Sequence, residues 1–181
     1  PHYGSTYTYY PPVAHIPSDA CPMLSGRAWT ITADVDVPTG TLEGVIYARG
    51  GHNIGHSMFV RNGEFHFYYN ALGKHQRVAA PISLSPGRHQ LGARFDREGN
   101  TGTLTLVVDG KDLANVHIPK IMRILGSMGM DLGSDRLSPV CPDYVAPFPF
   151  TGTLDKVVFE IRSKPTRTDE LAQMRAEAAR E

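Results

Sequence analysis

Apolar and polar positions alternate with a period of two along much of this chain. Trp29, Ile31, Ala33, Val35 and Val37 fall on one side of a run whose other side is Thr30, Thr32, Asp34 and Asp36. Side chains of a strand point to opposite faces in turn, so this pattern predicts a half-buried strand over 28–37. Pro38-Thr39-Gly40 ends it. Short apolar and β-branched runs then recur at 44–48, 57–60, 65–69, 90–96 and 102–108. Asn62-Gly63 and Asp109-Gly110 close two of them. Both central residues of a type I′ turn take positive φ, which Asn, Asp and Gly adopt at least cost, so these pairs predict β-hairpins. Further strands are expected at 77–79, 113–118, 130–133 and 150–162. In the last, Leu154, Val157, Phe159 and Ile161 turn inward, and the phase slips near Asp155-Lys156 as a β-bulge would make it. The sum is an all-β, antiparallel β-sandwich.

The two ends read differently. Residues 1–26 form an extended arm, because Pro11-Pro12 and Pro17 exclude a helix or a central strand. Tyr3, Tyr7, Tyr9 and Tyr10 are its anchors, either on the sandwich or on another domain. Pro165 sets off a tail over 164–181 in which Thr168 caps a short helix. Asp169 and Glu170 suit the first turn of that helix. Leu171, Met174 and Ala178 share one face. So short a helix is marginal alone and needs a surface to dock on. The sandwich proper is expected over 27–163. The stretch 119–127 reads equally as an irregular crossing or one helical turn, and 134–149 as a long loop.

Composition narrows the classes. The 181 residues carry equal numbers of acidic and basic side chains, with no stripe of Lys or Arg, so no nucleic-acid partner is expected. No apolar run is long enough for a membrane span, so no membrane partner is expected either. The chain opens Pro1-His2-Tyr3-Gly4, as a domain taken from a longer protein would. Cys21 and Cys141, each followed by proline, either pair in an oxidising compartment or stay as buried thiols.

Candidate chemistry is sparse. His52 and His56 have a spacing that would hold a metal on a helix, but flanking glycines place them in a loop without a third ligand. Asp131, Asp135 and Asp143, with Ser134 and Ser138, offer oxygen ligands on a loop, the kind of set a calcium ion takes. Arg136 competes for one of those carboxylates. Phe65, Phe67 and Tyr69 alternate with His66 and Tyr68, and an exposed pair His66 and Tyr68 would make a sugar platform. The bland alternative packs Tyr68 under a neighbouring loop. No paired carboxylates suit glycoside hydrolysis, and no nucleophile elbow or phosphate loop is present.

Several ordered blocks resemble the C-terminal domain of large bacterial arylsulfatases. They are Arg27-Ala28-Trp29-Thr30-Ile31-Thr32-Ala33-Asp34-Val35, Glu43-Gly44-Val45-Ile46-Tyr47-Ala48-Arg49-Gly50-Gly51, Thr101-Gly102-Thr103-Leu104 and Val108-Asp109-Gly110-Lys111. Ser138-Pro139-Val140 and Tyr144 with Pro147-Phe148-Pro149-Phe150-Thr151-Gly152-Thr153-Leu154 complete the set. The resemblance implies a concanavalin A or laminin-G-like jelly roll that follows a sulfatase catalytic domain, packs on it or builds a homo-oligomer, in the cytoplasm or cell envelope. Those catalytic domains use calcium and a formylglycine made from the cysteine of a Cys-x-Pro-x-Arg motif. Cys21-Pro22-Met23 and Cys141-Pro142-Asp143 both break that motif. No catalytic residue of the family therefore falls on this chain. The alternative is a lectin-like module with a glycan as partner.

Overall fold

The computed structural model describes residues 6–121, 129–136, 139–162, 171, 174–175 and 178–179. Its strands are β1 (Thr6–Tyr9), β2 (Trp29–Val37), β3 (Gly44–Gly51), β4 (Ile54–Arg61), β5 (Glu64–Ala71) and β6 (Lys74–Pro81). They continue as β7 (Gly87–Glu98), β8 (Thr101–Val108), β9 (Lys111–Ile118), β10 (Met130–Leu132) and β11 (Thr153–Ile161). A six-stranded sheet runs β1-β11-β2-β7-β8-β9 and a five-stranded sheet runs β10-β3-β4-β5-β6. All pairings between named strands are antiparallel. The protein is an antiparallel jelly-roll sandwich, as the alternation implied.

The turns behave as their residues dictate. Asn62 and Gly63 have φ of 50° and 74°, and Asp109 and Gly110 of 49° and 77°. Each pair carries the two positive φ values that the hairpin turn requires. The main core lies between the sheets, where Trp29, Ile31, Leu91, Phe65, Phe67, Leu104 and Phe159 are buried. Each such side chain removed from water is worth roughly 1.5–3 kcal/mol.

The N-terminal arm is woven into both sheets. β1 pairs with β11 at the edge of the larger one, and Tyr9 meets Phe159 edge-on at 5.7 Å. Ile16 then bridges Met130 of β10 at the edge of the smaller one. At the other end Leu171, Met174, Arg175 and Ala178 are helical, and Leu171 and Met174 are exposed. The expected cap, Thr168, with Asp169 and Glu170, lies outside the described residues, as does most of 119–127. No helix among the described residues is long and apolar enough to cross a membrane.

Candidate functional site

The outer face of the five-stranded sheet is where sequence placed a sugar platform, and that face is covered. The loop after β10 folds over it and builds a second apolar cluster from Val45, Ala48, Phe59, Tyr68, Val140, Cys141 and Tyr144. Tyr68 is 1% exposed. Arg77 lies over its ring at 5.3 Å, and its hydroxyl bonds His75. His66 is buried too, stacked on Phe59 at 4.7 Å with near-parallel rings. Its Nε2 is 3.5 Å from Glu64, and its buried Nδ1 has no partner. Desolvation holds its pKa below the ordinary histidine value. The pair is not an exposed sugar platform, and Tyr68 packs under the neighbouring loop as the bland alternative had it: apolar residues of the loop need a surface, and the outward rings of β4 and β5 supply it.

Asp131 on β10 and the loop residues Asp135 and Asp143 are all taken up by protein partners. Asp131, 4% exposed, accepts from His15 Nδ1 at 2.9 Å and from the Arg136 amide at 2.8 Å. Asp135 accepts from the Tyr144 hydroxyl at 2.6 Å and the Val140 amide at 2.9 Å. Burial pushes its carboxyl above the usual range against both donors. Asp143 pairs with Arg77, and its carbonyl accepts from Arg61. The Ser134 hydroxyl is buried and unpartnered, while Ser138 lies outside the described residues. Among the described residues no three His, Cys, Asp or Glu side chains are grouped to hold a metal ion.

The two candidate histidines separate. His52 is exposed in the β3–β4 turn, whereas His56 belongs to β4 and is buried. Its ring stacks on Tyr69 at 5.1 Å and faces Trp29 and Phe67. Desolvation lowers its pKa to about 3. Cys21 and Cys141 are both free and buried. One sits in the core between the sheets and the other under the loop, so a sheet divides them.

The outer face of the six-stranded sheet carries the open polar surface. β2 turns Thr30, Thr32 and Asp34 outward, and β7 sets Arg94, Gly92 and Gln90 opposite them. Two hollows meet at Gln90. One, of 160 Å³, lies over Thr30, Thr32, Gly92 and Val107. Gly92 contributes no side chain there, and a Cβ would stand 2.3 Å from the Ile31 carbonyl oxygen. The other, of 670 Å³, is lined by Tyr10, Asp34, Arg88, His89, Gln90, Asp109, Asp155 and Lys156. That volume lies in the range of small-molecule clefts.

The walls of the larger cleft are held by paired charges. Asp34 accepts from Gln90 Nε2 at 3.0 Å, and Lys156 Nζ is 3.6 Å away. Asp109 takes the Gln90 amide at 2.8 Å on one oxygen and His89 Nδ1 at 2.7 Å on the other. The opposite His89 nitrogen faces the Ser85 carbonyl at 2.7 Å. The hydrogen bond to Asp109 raises the His89 pKa. Further along β7, Arg94 is fixed by both oxygens of Asp112 and one of Asp96. The β-bulge anticipated near Asp155-Lys156 is present, between Leu154 and Lys156. Bulges beside sites re-aim side chains, and this one brings both residues to the cleft. Sequence signalled Asp34, the bulge and the Asp109-Gly110 turn one by one. It did not signal that Tyr10 and Gln90 join them.

No family model matches the chain, and no curated protein resembles it in sequence. Solved structures do resemble it in fold. The NanB sialidase of Streptococcus pneumoniae matches 95% of this chain with a TM-score of 0.64 and 15% identity. The chain spans 28% of that sialidase. The CBM40 of a Ruminococcus gnavus IT-sialidase bound to α2,3 sialyllactose matches 82% of this chain and 83% of its own, with a TM-score of 0.56 and 14% identity. Domains LG4-5 of the mouse laminin α1 chain match 90% of this chain and 40% of theirs, with a TM-score of 0.54 and 13% identity. The fold is therefore that of a laminin-G-like sandwich. These relatives lend no support to the arylsulfatase resemblance of the sequence blocks.

Proposed function

We propose that this domain is a carbohydrate-binding, lectin-like module that takes its glycan on the outer face of the six-stranded sheet. The observation that carries the reading is the pair of neighbouring hollows that share Gln90 on β7, the smaller floored by threonines and the larger walled by Asp, Gln, Arg and His side chains. Sugar hydroxyls both donate and accept, and planar polar side chains on a rigid sheet meet them with little ordering cost. The sialyllactose-bound module among the structural relatives supports the same reading. The opposite face is occupied by its loop. Glycan-array screening of the chain, followed by calorimetric titration with and without added calcium, tests it. Saturable binding lost on Gln90→Ala is the expected result. A flat array at every condition would overturn it.

A second reading, an accessory domain of an arylsulfatase-like enzyme, is favoured by the ordered sequence blocks. Its most distinctive block, Pro147 to Gly152, closes the covered face: Val45 bridges Pro149, and the Phe150 amide bonds the Gly133 carbonyl at 2.9 Å. The same coding frame would then hold a Cys-x-Pro-x-Arg motif upstream of Pro1. A full-length reading frame without that motif would sink this reading.

A further inference from the structure

Four neighbouring positions on one rung of the six-stranded sheet face the larger cleft together. Asp34 pairs with Gln90 across β2 and β7, and with Lys156 across β2 and β11. Tyr9 pairs with Val157, so the next residue, Tyr10, comes level with Lys156 where the arm leaves β1. Adjacent strands are about 4.8 Å apart. The rung therefore presents an aromatic ring, an ammonium, a carboxylate and an amide in sequence across the sheet.

The chemistry of the rung is specific. Asp34 uses one oxygen for Gln90 and the other for Lys156. Each oxygen keeps a lone pair free, because a carboxylate offers about four acceptor sites. Gln90 keeps its carbonyl oxygen and Lys156 keeps two N–H donors on the same count. Donors and acceptors thus alternate at the spacing of neighbouring strands, the arrangement that fits adjacent ring hydroxyls. Tyr10 is 69% exposed beside them. Its ring offers apolar area with a polar tip, as needed to cover the C–H face of a sugar.

Charge selects among sugars. Lys156 is matched by Asp34 and His89 by Asp109. Arg88 and Asp155 add one charge of each sign to the lining. An anionic sugar would need a surplus of cations here, and the lining has none.

We propose that the Tyr10–Lys156–Asp34–Gln90 rung is a subsite for an uncharged pyranose, with Tyr10 stacked on its apolar face and Asp34 accepting from two adjacent hydroxyls. This rests on the glycan-binding reading above and adds the location and the sugar class. The test is amide-resolved NMR titration of the intact chain with methyl glucosides, galactosides and mannosides and with N-acetylglucosamine, beside N-acetylneuraminic and glucuronic acids. At least one neutral probe should give saturable shifts at Tyr10, Asp34, Lys156 and the Gln90 side-chain amide. Tyr10→Ala and Asp34→Asn should each weaken that binding at least tenfold while leaving the rest of the spectrum in place. Neutral probes that shift residues elsewhere, or binding by acidic probes alone, would overturn this subsite and leave the lectin reading standing. Silence from every probe here and on the glycan array would overturn both.

Discussion

The Tyr144 hydroxyl donates to Asp135 Oδ2 at 2.6 Å, and it lies 2.8 Å from Ser57 Oγ as well. That contact ties the covering loop to β4 through three buried polar groups. Tyr144→Phe should leave the carboxylate with the Val140 amide alone. Leaving a buried acceptor short of a donor costs about 1–3 kcal/mol. Urea unfolding of the variant should show that loss with an unchanged slope. An unchanged midpoint would mean the loop is not fastened there.

His56 should make the domain acid-labile. Its folded pKa of about 3 lies below the ordinary value of 6.5. Between those values the unfolded chain binds a proton that the folded chain does not, so stability falls as pH drops from about 6.5 toward 3. By pH 4.5 this single group should remove about 3 kcal/mol. His56→Phe will change stability at neutral pH, because Tyr47 loses its neighbour at 3.4 Å. Its signature is a flatter acid limb in stability against pH. An equally steep limb in the variant would assign the lability elsewhere.

His89 runs the other way. Its pKa is raised chiefly by the hydrogen bond to Asp109, with the Ser85 carbonyl at its other nitrogen. Two acceptors call for a doubly protonated ring. The contact therefore stabilises the fold below about 6.5 and fades as pH rises through the folded pKa. Asp109→Asn suits the left-handed turn position and can still accept from the Gln90 amide. It should bring the His89 titration, followed by imidazole NMR shifts, down toward 6.5. No movement would mean that Asp109 does not set it.

Both thiols should be unreactive while the chain is folded. Cys141 is fully buried with its pKa pushed up to about 11, and burial raises Cys21 as well. The thiolate is the reactive form, so a colorimetric disulfide reagent should modify neither cysteine in the native protein and both in denaturant. Rapid modification of the native protein would contradict this packing.

The strands, the hairpin turns and the β11 bulge were legible in the sequence because each is written locally. The period of two, the Asn-Gly and Asp-Gly pairs and the phase slip at Asp155 need no distant partner to be read. The covered face was not legible for a physical reason. A strand buried on one side alternates, but β5 is buried on both, with Phe65 facing one core and Tyr68 another. Such a strand reads as a continuous apolar run, and nothing local tells which side is solvent. His56 was misplaced because Gly51 and Gly55, on either side of His52, suggested a loop through both histidines; Gly55 instead marks close approach, since a Cβ there would stand 2.1 Å from the Arg49 carbonyl oxygen. The cleft was illegible as a unit, because Tyr10, Asp34, Gln90 and Lys156 come from four separate stretches that only the sheet order unites.

The arm that passes from β1 to Ile16 does more than fill space. It occupies one flank of the sandwich, leaving β6 and β9 as the outermost strands on the other. An outermost strand with unpaired backbone groups is a template on which a second molecule can grow a sheet. Along that flank stand Lys74, His75, Arg77 and Lys111, with Pro81 ending β6 without an N–H to offer. Lys74, Lys111 and Pro81 are the residues placed to oppose such edge-to-edge growth.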